Sequence, residues 1–294
     1  MEPIGVLNFI KWILLVFARS LYHNLVPYEW KVKKNLTGKR VLLTGAASGI
    51  GAAVADRLAK EQCNLVLWDI NEAGLKRVKQ DLEHYNVQIH TQVVDLSKKD
   101  DVIRASEELL SSDIGDIDIV FNNAGCINNN YFLDTKIESM DRLMNVMLLS
   151  NLYIVKQFLP RMIERGEGHI VATCSVAGHL GLAEIADYCA AKFGVRGFME
   201  SLYNQMVLLG HHNIQFTTIC PWYVKTPLLD GQVHNSLAFP PIELDGLIDR
   251  MIQAIKLNER EVLYPAKLNV WMAIKTVLPL SVQRSILLGR YCYS

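Results

Sequence analysis

The chain has 294 residues, of which 50% are hydrophobic and 20% charged, and its 30 basic side chains balance its 30 acidic ones. Such a chain buries a full hydrophobic core, which argues against disorder, and its zero net charge gives no electrostatic reason to expect a nucleic-acid partner. The six cysteines show no C-x-x-C or Cys/His ligand spacing and mostly lie in apolar stretches. We therefore expect reduced, buried thiols in a cytosolic redox environment and no metal site.

Residues 1–30 differ from the rest of the chain, because residues 4–18 are apolar apart from Gly5, Asn8 and Lys11. At 100° per residue the polar side chains project into one broad sector and the large apolar ones lie away from it. This pattern predicts an amphipathic membrane anchor in the plane of the interface. The alternatives are a spanning helix with Lys11 snorkelling and a helix packed on the protein's own body. The basic linker of residues 31–38 favours a cytosolic orientation of the domain that follows.

From residue 39 to residue 265, short β-branched runs alternate with longer amphipathic stretches. Strands are predicted at 40–44, 64–69, 88–95, 118–122, 169–173, 214–219 and 261–264, and helices near 50–61, 71–83, 98–112, 136–165, 187–209 and 241–257. Strands this apolar belong in a parallel sheet covered on both faces. The predicted fold class is therefore α/β, a single doubly wound Rossmann domain with a seven-stranded parallel sheet.

In the apolar tail of residues 266–294, residues 268–288 are expected to form a helix that closes a substrate pocket, with a second membrane contact as the alternative.

The turn after the first predicted strand carries three glycines, Gly45, Gly49 and Gly51, in a G-x-x-x-G-x-G spacing. Without Cβ atoms the turn can be tight and its backbone can approach a pyrophosphate, while the helix N-terminus supplies N–H donors. Three glycines alone could form an ordinary strand-to-helix turn. Their place after a strand, with an acidic residue ending the second strand, favours a dinucleotide. Ser48 and Ile50 of this turn are also predicted cofactor contacts.

The acidic residue is Asp69. Its carboxylate can accept hydrogen bonds from both adenosine ribose hydroxyls and would repel a 2′-phosphate, and no Arg or Lys lies inside the glycine turn. We therefore predict NAD as the cofactor, with NADP less favoured. Asp95 ends the third predicted strand, where it suits the adenine edge of the cofactor. Capping of the helix that starts near Ser97 is an equally good interpretation of Asp95.

Tyr188 and Lys192 stand in a Y-x-x-x-K spacing on a predicted helix, so both side chains lie on one face. A nearby ammonium favours the phenolate and would lower the tyrosine pKa from its usual value near 10. The spacing alone is weak evidence. Ser175 follows the fifth predicted strand, at the edge where open α/β sheets bind ligands, and its hydroxyl can hold a substrate oxygen; a turn or helix cap is its alternative role.

Two further strand ends supply candidate cofactor contacts. Asn122 and Ala124 belong to the sequence N-N-A-G after the fourth predicted strand. Thr226 follows the sixth, where its hydroxyl can meet the nicotinamide carboxamide.

The ordered set T-G-x-x-x-G-I-G, N-N-A-G, Ser175 and Y-x-x-x-K resembles the short-chain dehydrogenase/reductase family over residues 39–227. The resemblance implies that Tyr188 is the general acid/base, that Lys192 holds the nicotinamide ribose and lowers the tyrosine pKa, and that Ser175 orients the substrate oxygen. Hydride would pass between the substrate carbon and nicotinamide C4. The resemblance also implies a homodimer, paired through the helix of residues 136–164 and the helix that carries Tyr188.

The chain departs from the family pattern at two positions. Met147 stands where an asparagine usually helps to hold a water in the proton relay, and a thioether lacks the donor and acceptor set of an amide. Trp222 follows Pro221 where a glycine is common, and with Tyr223 it is expected to narrow or line the pocket.

The apolar N-terminus and the sequences V-L-L-T and V-L-W-D-I-N are most similar to the membrane-associated branch of the family, which includes retinol and 17β-hydroxysteroid dehydrogenases. This implies interconversion of a lipophilic alcohol (retinoid, steroid or other lipid) and its carbonyl at the endoplasmic reticulum membrane or a lipid droplet. The pocket candidates, for which ordinary packing is an even alternative, are His179, Leu180, Leu182, Leu228, Leu229, Leu237 and Phe239. The alternative function, suggested by Met147, is a catalytically impaired membrane-bound nucleotide-binding protein that acts through partners.

Overall fold

The computed structural model describes residues 8, 10, 11, 13–15, 18, 26–226 and 240–288. It divides the chain into two units, Met1–Asn35 and Leu36–Ser294. In the first unit the described residues up to 18 are helical and exposed, and Tyr28–Trp30 forms a 3₁₀ turn. Most of the predicted anchor lies outside the described residues. Within the described ranges, no helix has the combined length and apolar character needed to cross a membrane.

The second unit contains one sheet of seven parallel strands. They are β1 (Arg40–Thr44), β2 (Asn64–Asp69), β3 (Ile89–Val93), β4 (Ile119–Asn122), β5 (Gly168–Thr173), β6 (Ile214–Pro221) and β7 (Glu261–Tyr264), in the order β3-β2-β1-β4-β5-β6-β7. The order reverses between β1 and β4, which opens a crevice at their carboxyl ends where doubly wound proteins bind ligands. The seven-stranded parallel sheet and the α/β class are confirmed.

Nine helices of this unit fall within the described residues. They are α1 (Gly49–Lys60), α2 (Glu72–Leu82), α3 (Lys99–Ser111), α4 (Ile137–Met144), α5 (Ser150–Arg165), α6 (Ala186–Leu208), α7 (Leu244–Leu257), α8 (Lys267–Val277) and α9 (Leu280–Leu288). Their apolar faces form two cores, one on each side of the sheet. Along β1, Leu42 packs in one core, while Val41 and Leu43 pack in the other. Because successive side chains of a strand point to opposite faces, such a strand is apolar throughout.

Several boundaries differ from the predicted ones. The stretch predicted as one helix over 136–165 is interrupted by a π-helical turn at Asn145–Leu149, between α4 and α5. Residues 268–288 form two helices instead of one, because Leu278 is extended (φ −80°, ψ 141°) and Pro279 follows it. The ring of a proline disfavours helical conformation in the residue before it. The predicted third strand is trimmed at both ends, and β6 continues two residues further, through Cys220 and Pro221.

Candidate active site

A cavity of about 520 Å³ opens at the carboxyl edge of the sheet. Most of the residues selected from the sequence line it: Gly45, Ser48, Gly49, Ile50, Gly51, Asp69, Ala124, Ser175, Tyr188, Lys192 and Thr226. Among the predicted catalytic and cofactor-binding residues, Asn122 and Asp95 are the two that do not. The glycine turn and the Ser–Tyr–Lys group therefore share one continuous wall.

The glycine turn fits closely against the start of α1 and the segment after β4. Gly45 has a φ of +66°, and a Cβ atom on it would lie 2.6 Å from Ala124 Cα. A Cβ atom on Gly51 would lie 1.9 Å from the Gly45 carbonyl oxygen. No other residue fits at these positions without moving the backbone. The turn thus presents bare backbone and the first N–H groups of α1 to the cavity, a donor set that fits an anionic pyrophosphate.

Asp69 is held in place by two backbone donors. Its Oδ2 accepts the N–H of Ala47 at 2.9 Å, and its Oδ1 accepts the N–H of Asn71 at 2.9 Å. The carboxylate therefore joins the end of β2 to the glycine turn and borders the cavity. The structure also adds a residue that the sequence analysis missed, because Arg77 of α2 donates a hydrogen bond to the Ala47 carbonyl at 3.3 Å. The turn contains no basic residue, but α2 brings one beside it.

Asp95 does not reach the cavity and closes the turn that leads into α3. Its Oδ1 accepts hydrogen bonds from the backbone N–H of Ser97 at 3.0 Å and from the Ser97 hydroxyl at 2.6 Å, and Lys98 Nζ lies 3.4 Å from its Oδ2. The helix begins at Lys99 with Lys98 as its N-cap residue, so Asp95 closes the preceding turn and does not cap α3 as predicted. Its contact with the adenine edge stays a prediction.

The two asparagines after β4 have different roles. Asn122 is 4% exposed, and neither its Oδ1 nor its Nδ2 has a hydrogen-bond partner among the described residues. Asn123 lines the cavity; its Nδ2 donates to the Thr44 carbonyl at 3.1 Å, and its Oδ1 accepts from the Thr173 hydroxyl at 3.0 Å. Asn123 therefore joins the ends of β1, β4 and β5. The sequence selected Asn122 as a cofactor contact, which stays a prediction, and Asn123 is the additional asparagine that lines the cavity.

Ser175, Tyr188 and Lys192 converge on the cavity wall. The Lys192 Nζ donates to the Thr173 carbonyl at 2.7 Å and lies 5.5 Å from the centre of the Tyr188 ring. The Ser175 hydroxyl lies beside the phenol of Tyr188 and favours its ionised form, and its Oγ accepts the N–H of Ala177 at 3.1 Å. The 3₁₀ turn Val176–Gly178, which begins directly after Ser175, fixes the position of this hydroxyl.

The pKa values of the buried pair follow from burial. Burial raises the pKa of Tyr188 above its ordinary value, and the neighbouring Ser175 hydroxyl offsets this only in part. Burial also lowers the pKa of Lys192, because the charged ammonium loses its hydration. The net direction is upward because burial of the phenol has the largest effect on its pKa, and the lowering of that pKa by the Lys192 ammonium stays a prediction.

Met147 lies in the π-helical turn and is 2% exposed. Its Sδ accepts the backbone N–H of Cys126 at 3.2 Å, and its carbonyl accepts the side-chain N–H of Asn151 at 2.9 Å. The thioether thus supplies one of the acceptor positions of an amide, although it has no donor. The expectation that a thioether lacks the hydrogen-bonding groups of an amide therefore holds for the donor and only in part for the acceptors.

The other end of the cavity is apolar and aromatic. Trp222, Tyr223 and Leu182 line it, as the sequence predicted for the two aromatic residues, and Trp222 is only 6% exposed. His179 and Leu180 do not line the cavity, nor do α8 and α9. The expectation that the C-terminal apolar segment closes the pocket therefore does not hold for the described residues. Leu228, Leu229, Leu237 and Phe239 lie outside them.

Comparison with known proteins fits this geometry. The family model for short chain dehydrogenase matches residues 39–236, about two thirds of the chain. The chain belongs to the short-chain dehydrogenase family. It is 36% identical over 253 residues to human epidermal retinol dehydrogenase 2 (85% of this chain, 81% of the relative) and 32% identical over 267 residues to human 17-beta-hydroxysteroid dehydrogenase 13 (91% and 87%).

Solved structures of the family share the fold. A short chain dehydrogenase/reductase from Burkholderia phymatum in complex with NAD has a TM-score of 0.74 at 22% identity, covering 83% of this chain and 94% of the other. A short-chain dehydrogenase from Sphingobium yanoikuyae in complex with NADPH has a TM-score of 0.72 at 24% identity, covering 81% and 92%. The protein is thus a short-chain dehydrogenase/reductase, an oxidoreductase of the class that uses nicotinamide dinucleotides.

Proposed function

We propose that this dehydrogenase uses NAD to interconvert a lipophilic alcohol, such as a retinoid, a steroid or another lipid, and its carbonyl. The observation that carries the proposal is the shared cavity: Ser175, Tyr188 and Lys192 lie on the same wall as the glycine turn and Asp69. A dinucleotide that spans this wall brings its nicotinamide end to the catalytic group. Ala124 and Thr226 border the same space and are proposed to contact the cofactor.

The preference for NAD rests on Asp69. Its carboxylate is oriented by the N–H groups of Ala47 and Asn71, so a negative charge faces the place where an adenosine ribose is expected. Arg77 counteracts this charge in part, because it lies beside the same turn. We propose that the carboxylate dominates, since it borders the cavity directly and the guanidinium is bound to the Ala47 carbonyl.

The three catalytic residues have different roles in proton transfer and charge stabilisation. A bound nicotinamide supplies hydride exchange at C4. Ser175 holds the substrate oxygen, and Tyr188 takes its proton when an alcohol is oxidised and returns one when a carbonyl is reduced. Lys192, fixed by the Thr173 carbonyl, keeps a positive charge near the developing phenolate.

The proposal of a lipophilic substrate is supported by the apolar end of the cavity. Trp222, Tyr223 and Leu182 give it aromatic and aliphatic walls, and Asn129 and Glu184 are polar side chains that also line the cavity. Such a pocket gains its affinity from burial of apolar ligand surface. Two of its relatives are a retinol dehydrogenase and a hydroxysteroid dehydrogenase, which suggests substrates of this class.

The decisive experiment follows NADH absorbance while the purified protein is incubated with NAD and a panel of retinol, estradiol and long-chain alcohols. The Tyr188→Phe variant is expected to lose about 10²–10⁴-fold in kcat, because it lacks the acid/base proton, while NADH still binds. Tyr203→Phe, on the same helix, is the matched control and is expected to keep wild-type activity. NADH binding without turnover on any alcohol would instead favour a nucleotide-binding protein that acts through partners.

We also propose that the enzyme works as a homodimer on the surface of the endoplasmic reticulum or of lipid droplets, with its catalytic domain in the cytosol. Leu14 and Leu15 of the N-terminal helical residues are 62% and 51% exposed, which suits insertion into a lipid interface. The double substitution Leu14→Glu/Leu15→Glu is expected to lower co-sedimentation with phosphatidylcholine vesicles at least fivefold, whereas Val32→Glu should not. Equal sedimentation of both variants would contradict the anchor.

A further inference from the structure

Three potential metal ligands meet outside the cavity. A ring nitrogen of His179, the Cys220 Sγ and a carboxylate oxygen of Glu261 all lie within 4.8 Å of one another. They come from the turn after Ser175, the end of β6 and the start of β7, and none of them lines the cavity. We propose that this cluster binds a zinc ion. The sequence analysis predicted no metal site, because the three residues are far apart in the chain.

The imidazole of His179 is placed as a ligand. Its Nε2 is buried, has no hydrogen-bond partner among the described residues, and lies 3.7 Å from Glu261 Oε1. A buried polar atom without a partner is costly, and a metal ion would use the nitrogen lone pair directly.

A second thiol lies next to the cluster. Cys174, the residue before Ser175, lies beside Cys220 of the neighbouring strand, and both side chains are buried. The Cys174 thiol donates a hydrogen bond to the Lys192 carbonyl at 3.3 Å, and this bond would be given up on metal binding. Two thiols, an imidazole and a carboxylate make a donor set that suits zinc. Bonds of about 2.0–2.3 Å place tetrahedral ligands about 3.3–3.8 Å apart, so closing the cluster takes side-chain shifts on the order of 1 Å.

Two cations also face the cluster. Arg196 Nε donates to Glu261 Oε2 at 2.7 Å, which leaves Oε1 facing His179. Lys275 donates to the His179 carbonyl at 2.6 Å and keeps its positive charge there. If both thiols release their protons to solvent on binding, two thiolates and one carboxylate offset the charges of the zinc ion and the Arg196 guanidinium, and the charge of Lys275 remains.

A bound zinc ion would have a direct mechanical effect on the active site. His179 follows the turn Val176–Gly178, and the N–H of Ala177 in this turn donates the hydrogen bond that orients Ser175. Zinc would tie this turn to β6 and β7, so its binding is expected to raise the thermal midpoint of the full-length protein.

The test uses the reduced, chelator-treated full-length protein and Co²⁺ as a spectroscopic probe, followed by Zn²⁺. We expect a thiolate-to-cobalt absorption band in the near ultraviolet, tetrahedral cobalt bands in the visible, and loss of both on adding one equivalent of Zn²⁺ per chain. Cys220→Ser and His179→Gln are each expected to weaken Zn²⁺ binding by at least about tenfold. Glu261→Gln tests the third ligand without altering a buried side chain.

Two matched controls remove the same chemical groups elsewhere: Cys63→Ser and His84→Gln should leave the cobalt spectrum unchanged. The proposal is overturned if Co²⁺ gives no thiolate band, or if the band survives in Cys220→Ser. It is equally overturned if Zn²⁺ stabilises Glu261→Gln and His179→Gln as much as the wild type. Oxidoreductase activity is measured separately in chelator-containing buffer, so failure of the zinc site leaves the test of the proposed function unaffected.

Discussion

The two ends of the cavity are built in opposite ways. At the nucleotide end, Gly45, Gly51 and Asp69 come from one short stretch of chain, β1–α1–β2, and act mainly through backbone geometry. At the substrate end, Met147 and Trp222 come from segments far apart in the sequence and act through side-chain shape. Cofactor recognition is therefore encoded locally by residue type, whereas substrate recognition depends on packing between elements that are distant in the sequence.

Substitutions at the nucleotide end should reduce ligand binding more than substitutions at the substrate end. Gly51→Ala is expected to weaken NAD binding by about 100-fold, or about 2.7 kcal/mol, because the new methyl group would overlap the Gly45 carbonyl and widen the turn. The measurement is NAD affinity by calorimetry. The control is Gly197→Ala in α6, where nothing lies within 4 Å of the added Cβ. Near-normal NAD affinity in Gly51→Ala would show that the turn can relax.

A smaller effect is expected from Asp69. Asp69→Ala removes the negative charge that faces the adenosine ribose, so the ratio of kcat/KM for NAD to that for NADP should fall roughly tenfold, about 1.4 kcal/mol. In the Asp69→Ala variant, Arg77 is the remaining charge beside the turn, and it favours a 2′-phosphate. The double variant Asp69→Ala/Arg77→Ala should therefore recover part of the preference for NAD. A wild-type enzyme that prefers NADP would contradict this assignment of Asp69.

The smallest effect is expected at the substrate end. Met147→Asn should raise kcat by about two- to fivefold, since an amide oxygen accepts the Cys126 N–H more strongly than a sulfur does. The buried amide should also lower the free energy of unfolding by roughly 1–3 kcal/mol, because its remaining polar atoms face Leu143 and Ala191. Met144→Asn is the control, expected to destabilise without raising kcat. A wild type already fast, with no gain in the variant, would mean that other groups complete the relay.

The local character of the nucleotide end explains why the sequence predicted it well. Parallel strands buried on both faces read as apolar runs, and a glycine turn after the first such run predicts the crevice without any knowledge of tertiary contacts. All seven strands and the lining by Gly45, Asp69 and Tyr188 could be anticipated on this basis.

What the sequence did not predict depends on contacts between distant residues. Which of Asn122 and Asn123 lines the cavity depends on the register of β4, because a shift of one residue would exchange them. Composition carries no information about this register. The His179–Cys220–Glu261 cluster exists only because β5, β6 and β7 are neighbours in the sheet. The π-helical turn at Asn145–Leu149 lies in a stretch whose amphipathic pattern reads as a continuous helix.

The hydrogen bond between the Ala177 N–H and Ser175 Oγ fixes the direction in which the serine can act. Because this backbone donor occupies one lone pair of the hydroxyl, the single serine proton is directed away from the turn, toward either Tyr188 or a substrate oxygen. A carbonyl oxygen, which only accepts, would take this proton in place of the phenol. The Tyr188 hydroxyl would then be left to donate its own proton to the same substrate oxygen.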